Sequence, residues 1–342
     1  MSIKYLTELT RNLIDVCSLT GTEEQLCDWL ANYLSNLGYH IELQAVVGKR
    51  ANLIATLNET PRVFFSTHLD TVPPHIASSE DETHIYGRGA CDAKGIIAAQ
   101  VFAAQRLRAS GVKDIGLLFT VDEEAGSAGA KVANTHPLAA QCRYLINGEP
   151  TDNKLAVFSK GSLRVSLQAA GKAAHSAYPE QGESAIEKLL DVLDDVRSYA
   201  WPVHEIYGAT TCNIGVINGG RATNIIAEQA RADLHFRVIT PISEITNALE
   251  TLSAGRAQVE VMSQAEAVKL LSLDGFEQCT VRFTTDIPHL TNWGAPLLLG
   301  PGSIFDAHTA HERIAKVDLL QAVDLYELLA HTLLAREVVK NA

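Results

Sequence analysis

The chain has 342 residues, 46% of them hydrophobic and 20% charged, with a formal net charge of -12. That length exceeds one ordinary hydrophobic core, so two domains are expected. The acid excess excludes the basic footprint that nucleic acid requires, and no apolar run approaches the roughly 20 residues of a membrane span. The six cysteines (Cys17, Cys27, Cys91, Cys142, Cys212, Cys279) are scattered without a C-x-x-C pair, which suits reduced thiols better than a disulfide framework. Met1 to Thr10 alternates polar and apolar residues and has no signal-peptide core, so a cytoplasmic location is expected.

Ile3, Leu6, Leu9, Leu13 and Val16 recur at helical spacing and predict an amphipathic opening helix. Thr22 is placed to cap a second helix carrying Leu26, Leu30, Tyr33, Leu34 and Leu37, with Gly38 as its stop. Strand-like runs follow at His40 to Val47, Ala51 to Leu57 and Arg62 to Thr67. The last holds Val63-Phe64-Phe65 without alternation, as in a strand covered on both faces. Gly95 to Ala109 reads as a helix, Ile115 to Val121 as another doubly buried strand, Ser127 to Asn134 as a helix and Arg143 to Ile146 as a short strand. Alternating strands and helices predict an α/β layer architecture with a mainly parallel sheet flanked by helices.

The pattern changes after Lys160-Gly161. Ser162 to Ala170 alternates like a half-exposed strand and Glu183 to Ser198 reads as a helix. Two strands, Thr210 to Ile217 and Ile225 to Val238, flank the turn Asn218-Gly219-Gly220-Arg221. A helix at Ile242 to Ser253 and a strand at Ala257 to Met262 complete a β-α-β-β-α-β order, the ferredoxin-like split unit. The expected organisation is therefore a catalytic domain of residues 1–160 plus 266–342, with an inserted lid and dimerisation domain at 161–265. Gly294 to Gly300 then reads as a sheet strand and Val317 to Ala335 as a closing helix.

Two runs carry the chemistry: Phe64-Phe65-Ser66-Thr67-His68-Leu69-Asp70 and Thr120-Val121-Asp122-Glu123-Glu124. His68 and Asp70, two residues apart at a strand end, point the same way. A Glu-Glu pair at a second strand end can offer one carboxylate to a metal and the other to a water. Asp92, Glu149 and His308 fall in loops at the same predicted sheet edge, where open α/β sheets bind ligands. Two histidines and several carboxylates suit zinc, cobalt or manganese. Two metals about 3.5–4 Å apart would polarise a carbonyl and activate a water. Taken singly these residues have plainer readings: Asp92 as a helix N-cap, Glu123-Glu124 as a solvated loop or a helix first turn favoured by the dipole. The conjunction at one edge favours a metal-dependent hydrolase.

The same residues resemble the dinuclear-zinc aminoacylase and carboxypeptidase metallopeptidase family over nearly the whole length. The motifs are His68-Leu69-Asp70, Gly89-Ala90-Cys91-Asp92-Ala93-Lys94-Gly95, Asp122-Glu123-Glu124, Gly148-Glu149-Pro150-Thr151 and Ala307-His308. The resemblance implies a zinc-exopeptidase-like catalytic domain and two divalent ions, zinc with cobalt able to substitute. His68 and Glu149 would hold one ion, Glu124 and His308 the other, and Asp92 would bridge them. Glu123 would be the general base and Asp70 the group orienting His68. It also implies a cis peptide at Asp92–Ala93. Gly171-Lys172-Ala173-Ala174-His175 resembles the family's lid motif, making His175 the candidate oxyanion donor, acting across a homodimer formed by the inserted domain; its plainer reading is a turn histidine. Asn224 and Arg237 resemble lid residues that hold the substrate's carboxylate and backbone, although Arg237 also reads as a solvated charge on an alternating strand. Ala227 stands where the family often has Pro.

Gly300-Pro301-Gly302-Ser303-Ile304 with Ala307-His308 and Glu312 resembles the acetylornithine deacetylases more than the desuccinylases, and Gly302 is a candidate substrate contact. The implied reaction is hydrolysis of an N-acyl amino acid, first N2-acetyl-L-ornithine to L-ornithine and acetate in arginine biosynthesis. Alternatives are acetylcitrulline, acetyl-lysine or succinyl-diaminopimelate, or a dipeptidase or carboxypeptidase reaction with the same metals. No nucleic-acid or membrane partner is expected.

Overall fold

The computed structural model describes residues 3–340. The chain divides into two units. One comprises the residues up to Val157, Leu270–Cys279 and those from Thr285 onward; the other comprises Phe158–Lys269 with Thr280–Thr284. The second unit thus begins before and ends after the 161–265 segment read from sequence. It also recovers Thr280–Thr284, which the sequence reading left in the first domain.

The first unit opens with helices α1 (Ile3–Asp15) and α2 (Glu24–Asn36). Strands β1 (His40–Val47), β2 (Arg50–Thr56) and β3 (Val63–His68) follow, then helix α3 (Lys94–Ala109), strand β4 (Ile115–Thr120), helix α4 (Ala128–Ala133) and strand β5 (Tyr144–Asn147). The second unit contains β6 (Gly161–Ala170), α5 (Ala185–Ser198), β7 (Thr211–Gly219), β8 (Gln229–Val238), α6 (Ile242–Ser253) and β9 (Gln258–Ala265). The chain returns to the first unit for β10 (Ala295–Leu298) and α7 (Lys316–Lys340).

In the first unit the strand order is β1-β2-β4-β3-β5-β10. The central strands β4, β3, β5 and β10 are parallel, and β1 and β2 extend the sheet antiparallel. Every residue of β3, β4 and β5 is buried, as expected of strands with helices on both faces. One face packs under α1, α3 and α7 through Leu9, Leu13, Ile97, Val101, Phe65 and Tyr326. On the other, Phe64 meets Trp293 edge-to-face at 4.8 Å beside Leu118 and Leu145; such a ring pair contributes about 0.5–1.5 kcal/mol beyond its buried area. The fold is therefore mixed α/β with a mostly parallel central sheet.

The second unit is a four-stranded antiparallel sheet of order β7-β8-β6-β9. Leu163, Val165 and Leu167 alternate with polar residues along β6, as Ala232, Leu234 and Phe236 do along β8. These apolar faces pack on Leu189, Val192 and Val196 of α5 and Ile245 and Leu249 of α6. Burial on one face only explains why period-two alternation made these strands legible.

Local boundaries differ for identifiable reasons. Thr22 does not cap α2: its hydroxyl donates to the Leu19 carbonyl, and Glu23 occupies the N-cap position without a side-chain bond. Ser127 is left-handed (φ 52°), so α4 starts one residue later than expected. β8 starts at Gln229 rather than Ile225. Among the described residues no helix is long and apolar enough to cross a membrane.

Candidate metal centre

Parallel register sets the strand ends abreast. Ser66 lies opposite both Leu118 and Asn147, and His68 opposite Thr120. The chain therefore leaves β3, β4 and β5 side by side, and the segments that follow carry His68 to Asp70, Glu123-Glu124 and Glu149. Asp92 sits just before α3. Ala93, not Asp92, occupies the α3 N-cap position, so the capping reading of Asp92 does not hold. The Asp92–Ala93 peptide is cis.

Asp92 lies between two imidazoles. Its Oδ1 is 3.0 Å from His68 Nε2 and its Oδ2 is 3.2 Å from His308 Nε2. His308 Nε2 also lies 2.9 Å from Glu124 Oε1. The ligand atoms of His68, Asp92 and Glu124 fall within 4.8 Å of one another. Glu149 is buried, and its Oε1 has no hydrogen-bond partner. A buried carboxylate oxygen of this kind needs a cation or a proton.

The charges are coupled. Burial pushes the Glu149 and Glu123 carboxyls well above the usual carboxylate range, and each lies in the field of neighbouring acids. Glu124 is also raised by burial, against the opposing bond from His308. Burial alone would lower the His68 ring; bonds to Asp70 and Asp92 reverse this and hold it well above the imidazole range. His308 is raised to about 10 by its bonds to Asp92 and Glu124. Asp92 is lowered despite burial, because both histidines bond it.

Asp70 does more than face His68. His68 Nδ1 is 2.9 Å from the Asp70 carbonyl and 3.6 Å from Asp70 Oδ1. The Asp70 carboxylate accepts the Glu123 N–H (3.1 Å), the Glu124 N–H (3.2 Å) and the Thr20 hydroxyl (2.9 Å). Asp70 thus holds the histidine through its carbonyl and the main chain of the glutamate pair through its carboxylate. The turn that presents the pair has Asp122 in the left-handed region (φ 73°), sparsely populated by non-glycine residues. Its carboxylate is held by Arg50, which also pairs with buried Glu23.

The glycine loop after β10 joins two ligand loops. A Cβ on Gly300 would lie 2.5 Å from the Glu149 carbonyl; one on Gly302 (φ +85°) would lie 2.6 Å from Cys91 Cβ. The Gly302 carbonyl accepts the Asp152 N–H at 2.9 Å. Close approach to the Asp92 loop is therefore a sufficient reason for glycine at 302.

The remaining candidates lie in the second unit. His175 is exposed; its Nδ1 accepts the Ala177 N–H, and it forms an isolated bridge with Ile225. The Asn224 carbonyl accepts the Ser176 N–H at 3.0 Å, so His175 and Asn224 share one loop cluster. Arg237 lies on β8 opposite Ser162 and Thr211 and donates to the Thr284 hydroxyl at 3.2 Å.

Sequence reading missed two groups. Asp286 is 2% exposed; its Oδ2 accepts the Thr120 hydroxyl at 2.7 Å, its Oδ1 has no partner, and burial raises it to about 6. Thr20 bonds Asp70. Neither stands in a periodic or spaced motif, so nothing local marked them.

These residues fit a pair of divalent ions. The donors are imidazole nitrogens and carboxylate oxygens, a set suited to zinc and its neighbours. Asp92 presents one oxygen to each of two separate histidines, and Glu149 offers an unpartnered one.

The comparisons agree with this geometry. Residues 64–332 match the model of peptidase family M20/M25/M40. A peptidase M20 domain-containing protein of Schizosaccharomyces pombe is 36% identical over 334 residues, covering 94% of this chain and 83% of its own length. A probable carboxypeptidase of Paracoccidioides brasiliensis is 35% identical over 390 residues, covering 98% and 88%. The crystal structure of a Staphylococcus aureus tripeptidase superposes with a TM-score of 0.81 at 23% identity, over 97% of this chain and 99% of that one. The chain belongs to peptidase family M20, a family of metal-dependent hydrolases.

Proposed function

We propose that this chain hydrolyses the amide bond of an N-acyl amino acid with two divalent ions, zinc first and cobalt as a substitute. The observation that carries the reading is the division of Asp92, one oxygen toward His68 and the other toward His308. When bound, the ions would supply Lewis acidity and lower the pKa of a water. In this reading His68 and Glu149 would hold one ion and Glu124 and His308 the other, with Asp92 able to serve either.

Glu123 is the general base. Its main chain is fixed by Asp70, and burial raises its carboxyl above the usual carboxylate range, which favours a group that accepts a proton. It takes the proton of the attacking water at its carboxylate and returns it to the leaving nitrogen. His175 supplies a donor to the oxyanion, reaching the site of a second subunit in a homodimer formed through the inserted unit. Arg237 and Asn224 are the inserted unit's groups for the substrate's carboxylate and backbone, a planar guanidinium suiting that carboxylate; the Gly302 loop is a substrate contact of the first unit.

The resemblance of Gly300 to Ile304 and Glu312 to the acetylornithine deacetylases supports N2-acetyl-L-ornithine as substrate, giving L-ornithine and acetate. A carboxypeptidase or dipeptidase reading is favoured by the relative described as a probable carboxypeptidase. A hydrolysis screen with added zinc or cobalt separates them: acetate from acetylornithine supports the first, free amino acids from dipeptides the second. Glu123→Ala should abolish turnover on whichever substrate is cleaved while zinc binding persists. A variant turning over at the wild-type rate would sink the general-base assignment.

A further inference from the structure

Glu312 stands four residues beyond His308 and is 1% exposed. Its Oε1 accepts the main-chain N–H groups of Gly89 (2.9 Å), Cys91 (3.2 Å) and Asp92 (3.1 Å). Its Oε2 accepts Arg88 Nη1 at 2.5 Å, and its own carbonyl accepts the Gly87 N–H at 3.0 Å. Arg88, also 1% exposed, donates through Nε to the Pro74 carbonyl at 3.3 Å and through its N–H to the Ile76 carbonyl at 3.0 Å. Both carboxylate oxygens are therefore engaged, so Glu312 is not itself a ligand.

Converging N–H groups form a concave seat for an anion, and bonds to an ionised acceptor are stronger than neutral ones. Here the anion comes from the His308 segment and the seat from the loop that carries Asp92. Arg88 adds the segment that follows His68 and Asp70. One carboxylate thus ties together three stretches of chain that each carry a candidate ligand. One of the three N–H groups in the seat belongs to Asp92 itself.

We infer that Glu312 is a positioning residue for the metal centre: it sets where Asp92 presents its two oxygens and fixes that loop against the His308 segment. This rests on the metal-dependent reading above. A purely structural role would tie Glu312 to the stability of the unit; the inferred role ties it to metal affinity, because its bonds end on the ligand loop.

The test measures zinc affinity of the full chain by competition with a chromogenic chelator, alongside urea unfolding. Glu312→Gln places an amide donor against Arg88 or the N–H seat, and zinc affinity should fall about tenfold or more while unfolding stays cooperative. Glu312→Ala should fall further and be partly restored by excess formate, which refills the seat. Should Glu312→Ala not fold, Arg88→Met serves: it keeps the three N–H bonds and should lose less affinity than Glu312→Gln. A folded Glu312→Gln protein with wild-type zinc affinity overturns the inference, as does an Arg88→Met loss equal to or larger than that of Glu312→Gln. Wild-type protein that binds no zinc overturns the metal reading with it. None of these readouts depends on turnover, so failure to find a substrate leaves the test standing.

Discussion

Asp92 and Arg237 are both charged side chains drawn partly or wholly out of water. The first unit sets two imidazoles against Asp92; the second gives Arg237 one threonine hydroxyl and, among the described residues, no carboxylate. Burial with Arg164 nearby even lowers the Arg237 guanidinium. The contrast extends outward. Asp70 and Glu312 are each saturated by donors from the loops they organise, whereas His175 and Asn224 sit exposed in a loop cluster with side-chain capacity to spare. The first unit holds its polar groups in place before any ligand arrives, as preorganised sites require. The second leaves the Arg237 guanidinium with a neutral hydroxyl as its side-chain partner.

Breaking the saturated side should cost most. Asp70→Ala strips Thr20 and two N–H groups of their acceptor and removes the carboxylate 3.6 Å from the His68 ring, which keeps its bond to the residue-70 carbonyl. Turnover and zinc affinity should each fall about 10–100-fold, and urea unfolding should lose about 1–3 kcal/mol from the orphaned donors. Intact zinc affinity in that variant would mean that the carboxylate organises only the glutamate main chain.

A smaller and different effect is expected from the open side. His175→Ala should lower kcat by about 10²-fold, the worth of one oxyanion donor, with zinc binding unchanged. Mixing it with Glu123→Ala protein should restore part of the activity if the histidine serves a partner's site. No recovery on mixing would remove the cross-subunit role.

The smallest effect is a pH dependence in the second unit. Burial, reinforced by Arg237 and Arg164, pushes His235 down to about 4, below the roughly 6.5 of an unfolded imidazole. The folded chain therefore binds fewer protons than the unfolded chain between those values, so stability falls as pH drops through that window. The urea midpoint at pH 7.5 minus that at pH 5 should be larger for the wild type than for His235→Asn. Equal differences would show that His235 does not contribute.

How much of this was legible follows from which forces act locally. Val63 to Thr67 and Ile115 to Val121 announced themselves because a strand buried on both faces must be apolar at successive positions. Ser162 to Ala170 did so because one face is solvated. His68, Asp92, Glu123, Glu124, Glu149 and His308 were legible as candidates, because metal chemistry restricts residue type and the parallel sheet restricts place. The supporting acids were not. Glu312 was seen only as part of a loop motif and Asp70 only as a partner of His68. Their roles depend on N–H and hydroxyl groups far away in sequence, which no local pattern records. The α4 start was misplaced for a similar reason: the left-handed Ser127 is imposed by the Asp122 carbonyl, which gathers the N–H groups of Gly126 and Ser127, not by a preference of serine.

The discontinuity of the first unit bears on the order in which the protein can be completed. His68, Asp92, Glu123, Glu124 and Glu149 all precede the departure at Phe158, whereas the glycine loop, His308 and Glu312 follow the return at Thr285. During synthesis, at roughly 5–20 residues per second, the acidic half of the centre leaves the ribosome well before the histidine and the glutamate that complete it. β10 must also wait to join β5. A nascent chain stalled within the inserted segment would therefore hold a cluster of carboxylates without His308 to offset them, and would bind metal, if at all, through an incomplete set. Metal capture by the full ligand set is expected only after the His308 segment has left the ribosome.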